Sequence, residues 1–95
     1  MKVKVELTGQ LRAAAGRDTI PLDLAAGATI GDLMTKLVAT GPPAVRPHLA
    51  TADGRLQPTL VVVIDGEALP NTGHRETATV SEGATVVLIP PVAGG

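Results

Sequence analysis

The stretch Thr85–Gly95, TVVLIPPVAGG, decides how the rest of the chain is read. Its first five residues, Thr85 to Ile89, are an unbroken β-branched and aliphatic run. A strand of that kind has no wet face, so it belongs in the middle of a sheet rather than at its edge. Pro90 and Pro91 follow. They have no N–H and a fixed φ, so the hydrogen-bonded ladder stops there, and a Pro–Pro pair favours a stiff, extended backbone. Gly94 and Gly95 have no Cβ and fit a slot too narrow for other residues.

Outward from that strand, Leu60–Ile64 (LVVVI) is a second run without alternation. The Asp65–Gly66 turn follows it, and Glu67–Leu69 is a short strand that can pair back. The opening, Lys2–Leu7, behaves differently: Val3, Val5 and Leu7 share one face, and Lys2, Lys4 and Glu6 the other. Thr19–Leu24 alternates again, with Ile20, Leu22 and Leu24 inward, and Pro21 puts that strand at a sheet edge. These two strands read as a hairpin, joined by a connection bracketed by Gly9 and Gly16 that has room for a short helical turn.

One helix is clear. Ile30, Leu33, Met34, Leu37 and Val38 recur at i, i+3, i+4, i+7 and i+8, behind a capping-box pattern of Thr29 with Asp32. Gly41 ends it and Pro42 prevents its return. A short helix is expected around Ala44–Ala50, and Asp53–Gly54 reads as a turn. The order β-β-α-loop-β-β-β predicts an α+β fold: a mixed sheet of four to five strands with one main helix packed on one face, the last strand central and parallel to the first. This is the outline of a β-grasp, or ubiquitin-like, domain over residues 1–89, with an extended tail over 90–95.

The pattern leaves one mismatch. The two central strands are apolar on both faces, yet one helix covers only one of them. Either loop residues 42–58 or 70–80 fold over the second face, or that face is open and docks a partner. In the second case Val61, Val63, Val87 and Ile89 form the patch.

Composition excludes several functions. The chain has 95 residues and 44% apolar content, enough for one core. It contains no Phe, Tyr or Trp, so it has no aromatic platform for single-stranded nucleic acid. Eight Lys plus Arg stand against nine Asp plus Glu without runs, which argues against nucleic-acid or membrane partners. The absence of cysteine removes disulfides, thiolate metal sites and cysteine nucleophiles. MKVKVEL does not read as a signal peptide, and no apolar run approaches the roughly 18 residues of a membrane span. The expectation is a soluble, cytoplasmic protein.

Other candidate sites read as ordinary surface. His48 and His74 have no partners at ligand spacing, the two Asp–Gly pairs are turn chemistry, and Ser81 has no adjacent base, so no metal site is expected.

The tail has a chemistry of its own. From Pro90 to Gly95 it reaches at most ~20 Å. A carboxylate is a poor electrophile, and the last ten residues hold no His, Ser, Lys or acid to activate it. An external enzyme must therefore supply the leaving group, for example as an acyl adenylate made from ATP, and the chain itself binds no cofactor.

VVLIPPVAGG resembles the C-terminus of the ubiquitin-like sulfur carriers, most of all the small subunit of molybdopterin synthase. VKVELTGQLRAAAG resembles that family's first strand and Leu-Arg-x-x-x-Gly stretch, and VVIDGEAL its third strand and turn. Where the family often has Phe, this chain has Thr8 and Ile89, and NTGHRETAT lengthens the last connection. The resemblance implies a carrier without catalytic residues of its own. An E1-like enzyme adenylates Gly95, a sulfurtransferase persulfide converts it to a thiocarboxylate, and the tail residues Pro90, Pro91, Val92, Ala93 and Gly94 enter the large subunit of molybdopterin synthase. It also places Arg12 near the partner surface. Sulfur delivery for cysteine, thiamine or tRNA thiolation is the alternative, as is a modifier joined to lysines through Gly95.

Overall fold

The structure, a computed structural model, describes residues 1–53, 55–70 and 75–91. In chain order the elements are β1 (Lys2–Leu7), α1 (Gly9–Ala15), β2 (Thr19–Asp23), α2 (Ile30–Thr40), a 3-10 turn (Pro43–Val45) running into α3 (Arg46–Leu49), β3 (Val61–Ile64), β4 (Glu67–Ala68), a second 3-10 turn (Arg75–Thr77) and β5 (Thr85–Ile89). The strands form one five-stranded sheet in the order β2-β1-β5-β3-β4. β1 is antiparallel to β2, with Val3 opposite Leu22, and parallel to β5, with Leu7 opposite Leu88. β3 runs antiparallel to β5, with Val61 opposite Ile89 and Val63 opposite Val87. The non-alternating run at 85–89 is thus the central strand, and Pro21 lies in the edge strand β2, where its missing N–H costs no ladder bond.

The helices lie on one side of the sheet. Val5, Val62, Val86 and Leu88 point inward onto Ile30, Leu33 and Leu37 of α2, and all seven are completely buried or nearly so. Each buried aliphatic side chain contributes about 1.5–3 kcal/mol, so this interface supplies a large share of the drive to fold. The start of α2 is fixed by its capping box: Asp32 N–H donates to Thr29 Oγ1 at 3.2 Å, and Thr29 N–H donates to Asp32 Oδ2 at 3.0 Å.

Two segments differ from the sequence reading. The connection at 9–15 is a helix rather than a turn, because Leu11, Arg12 and the alanines are strong helix formers and Gly16, at φ 73°, supplies the left-handed stop. Leu11 anchors it in the core. The expected helix near 44–50 begins as a 3-10 turn and becomes α-helical only over Arg46–Leu49, with Pro47 inside its first turn.

The connecting segments also settle which face they cover. Val45, Leu49 and Leu56 are buried in the same core as α2. The 75–80 segment is strapped to the start of that helix: Ile30 N–H donates to Ala78 O at 2.8 Å, and Val80 N–H to Ala28 O at 2.9 Å. Gly31 permits this approach, since a Cβ there would meet the Glu76 carbonyl at 3.2 Å. The described parts of both loops therefore lie on the helical side, not over the outer sheet face.

Candidate functional site: the outer sheet face and the end of β5

Alternation along β3 and β5 places Val61, Val63, Val87 and Ile89 on the outer face, in two cross-strand pairs. Val61 is 43% exposed and Ile89 38%, the two large aliphatic residues most open to water among those described, whereas Val63 and Val87 are half-buried by their neighbours. The strip is bordered on the β1 side by charge. Glu6 lies beside Val87 and Lys4 beside Thr85. Lys4 Nζ is 3.5 Å from Glu6 Oε2, and Lys2 Nζ is 3.4 Å from Asp23 Oδ2. An apolar centre with a rim of both signs is the composition of a transient protein interface.

Electrostatics at the β1–β2 edge are mild. The Met1 ammonium, hydrogen-bonded to Asp23 Oδ1 at 3.2 Å, and then Lys2 hold the Asp23 carboxyl below its ordinary value of 3.8.

The end of β5 delivers the tail. Pro90 is buried and Pro91, the last described residue, is exposed. Of the other tail residues named from the sequence, Val92, Ala93, Gly94 and Gly95 lie outside the described residues. Arg12 is exposed on α1, the helix whose first residues meet Pro90.

The remaining candidates fall away from this surface. His48 is half-buried in α3, His74 and Gly54 lie outside the described residues, and Ser81 is exposed before β5. Asp65, at φ 49°, forms the turn after β3, and its carboxylate accepts the Thr85 N–H at 2.9 Å. Among the described residues no cluster of His, Cys, Asp or Glu could hold a metal ion, and no helix is long and apolar enough to cross a membrane.

Sequence reasoning missed Arg75. It is 5% exposed, and its guanidinium donates to the carbonyls of Leu60, through Nη1, and of Gln57, through Nη2 at 3.0 Å. It ties the segment entering β3 to the strap over α2. An arginine within a polar, turn-rich stretch reads as solvated, and nothing local marks it as buried.

The fold and surface can now be set beside known proteins. SAMP1 (small archaeal modifier protein 1) from Haloferax volcanii is 29% identical, with all of both chains covered and a TM-score of 0.87. CysO, in the BexX/CysO complex of Amycolatopsis orientalis, is 26% identical over 98% of this chain and 99% of that one, with a TM-score of 0.72. A putative molybdopterin converting factor subunit 1 from Pyrococcus furiosus has a TM-score of 0.73 over 97% and 99% of the two chains, but at 20% identity it speaks for the fold alone. Comparison with the curated proteins found no match. The ThiS family model matches residues 5–95, from the first strand through both terminal glycines. The chain therefore belongs to the ThiS family and is a ubiquitin-like protein of the sulfur-carrier and modifier group.

Proposed function

We propose that this protein is a sulfur carrier whose reactive group is the carboxylate of Gly95. The observation that carries the reading is a pairing: an open apolar strip on β3 and β5, and the tail leaving from the end of that same β5. A partner seated on Val61, Val63, Val87 and Ile89 has the tail base beside it, and Arg12, exposed on α1, is the further contact that the family resemblance suggests. Six tail residues then reach at most ~20 Å into its active site.

The chemistry is supplied in trans. An ATP-dependent enzyme joins the Gly95 carboxylate to AMP and releases pyrophosphate. The terminal sulfur of a sulfurtransferase persulfide displaces AMP, and a thiol cleaves the resulting acyl disulfide to leave the thiocarboxylate. The chain has no cysteine, so no internal thiol competes for the activated carbonyl. The acceptor we propose is a molybdopterin precursor held by a larger synthase subunit.

Likeness to SAMP1, named as a modifier, supports a second reading in which the activated Gly95 forms an amide with a target lysine. Likeness to CysO keeps other sulfur-requiring pathways in view. Intact-mass analysis of protein isolated from its native host separates these. Sulfur in place of one oxygen at Gly95 is the expected result. Higher-mass conjugates in which the Gly95 carbonyl is joined to a target lysine, without any thiocarboxylate, would replace it with the modifier reading, and an invariably unmodified terminus would overturn both.

A further inference from the structure

Thr8 breaks a local rule. It occupies the N-cap position of α1 with extended angles, φ −128° and ψ 163°, yet its side chain makes no capping bond. A threonine there ordinarily accepts an N–H from the first turn of its helix. Here Oγ1 instead donates to the Leu88 carbonyl of β5 at 3.1 Å. The last parallel β1–β5 pair is Leu7 with Leu88, so this hydroxyl adds a bond just where the backbone ladder ends.

The next residue of each segment continues the contact. Gly9 has φ +52°, which favours glycine, and a Cβ on it would sit 3.6 Å from Pro90 Cγ and 4.0 Å from Cδ. The Pro90 ring therefore lies beside Gly9, with room between them for about one carbon, and it is buried, while Pro91 is exposed. A ring without N–H cannot hydrogen-bond itself into place, so shape and the neighbouring Thr8 bond must hold it.

We infer that the β1–α1 junction is a seat for the base of the tail: Thr8 and Gly9 clamp Leu88 and Pro90, and so set the direction in which the chain leaves at Pro91. Thr8 is thus a positioning residue for chemistry at Gly95, an assignment that rests on the carrier reading. Errors at the base of a stalk are magnified at its tip, and small misplacements of a reacting group reduce rate rather than binding.

Two measurements test this. The chain has no cysteine, so Pro91→Cys accepts a single nitroxide. Its spectrum should report an ordered label, and adding Thr8→Val or Pro90→Ala should loosen it, whereas Thr8→Ser should not. In adenylation by a purified activating enzyme, assayed without the label or the Pro91 change, Thr8→Val should lower kcat about five- to tenfold with KM within about twofold, and Thr8→Ser should restore it. Should Thr8→Val fail to fold, Pro90→Ala, which leaves the helix start intact, carries both measurements. An unchanged nitroxide spectrum would overturn the seat. A loosened label with unchanged kcat would overturn the positioning role. A loosened label on a chain whose wild type is never adenylated would leave the seat standing and remove the carrier reading beneath it.

Discussion

The two faces of β5 are built from nearly the same residues and meet opposite fates. Val86 and Leu88 are wholly buried against α2, while Val87 is half-covered and Ile89 open. β3 repeats the contrast, with Val62 inside and Val61 outside. Hydrophobicity does not distinguish these positions; only the helix on one side does. Apolar side chains left on the uncovered side contribute little to folding, so a requirement other than folding has to account for them. In β1 the outward positions are Lys2, Lys4 and Glu6, so the same outer face turns from apolar to charged one strand away.

The contrast breaks most sharply when a charge is moved across it. Leu88→Asp puts an unpaired carboxylate into the core and should unfold the domain at neutral pH, as circular dichroism will report. Leu88→Ala, the milder form, should cost about 2–5 kcal/mol in denaturant melts. Val61→Asp, one strand away on the other face, should stay within about 0.5 kcal/mol of the parent. Loss of the fold in that variant would mean the outer strip belongs to the core.

Arg75 tests whether the inner side depends on its strap. Arg75→Ala removes the donor to the buried Leu60 carbonyl and should cost about 1–3 kcal/mol, and Arg75→Lys should not fully restore it, because a single ammonium cannot fork to the carbonyls of Leu60 and Gln57 as the guanidinium does. The capping box is a smaller lever: Thr29→Ala should cost about 1 kcal/mol by the same melts.

Much of this was legible in the sequence. Strict alternation in Lys2–Leu7 and its absence in Thr85–Ile89 distinguished a strand with one wet face from a central one. Pro21 marked the edge, and Thr29 with Asp32 marked the helix start. The open outer face followed from counting helices, though the sequence left open whether loops covered it. What escaped the sequence depends on contacts between distant residues. Arg75 looks like any surface arginine until Leu60 and Gln57 are brought to it by the fold. Thr8 reads as the start of a connection until β5 arrives beside it. Pro90 reads as the first residue of a free stalk until the fold sets its buried ring beside Gly9.

The smallest expected effect concerns the β1–β2 rim of the outer face. The Asp23 carboxyl sits below its ordinary value because the charged form accepts from the Met1 ammonium and lies near Lys2. Its contribution to stability is therefore present above the unfolded value of 3.8 and lost as pH falls through the lower folded one. Asp23→Asn should lower stability slightly at neutral pH, and the difference from the parent should vanish as pH falls below about 4, which flattens the acid limb of the melting profile. A difference from the parent that persists undiminished at lower pH would mean that the Asp23 charge is not its source.

The most direct measurement of the central claim is a binding titration between this chain and its purified activating enzyme, comparing the wild type with Val61→Asp/Val87→Asp, both shown to be folded. The account expects the wild type to bind and be adenylated at Gly95, and the double variant to lose affinity by at least about tenfold while melting nearly as the parent does. Equal affinity in the two proteins would contradict it, because the open face of β3 and β5 would then have no part in presenting the tail.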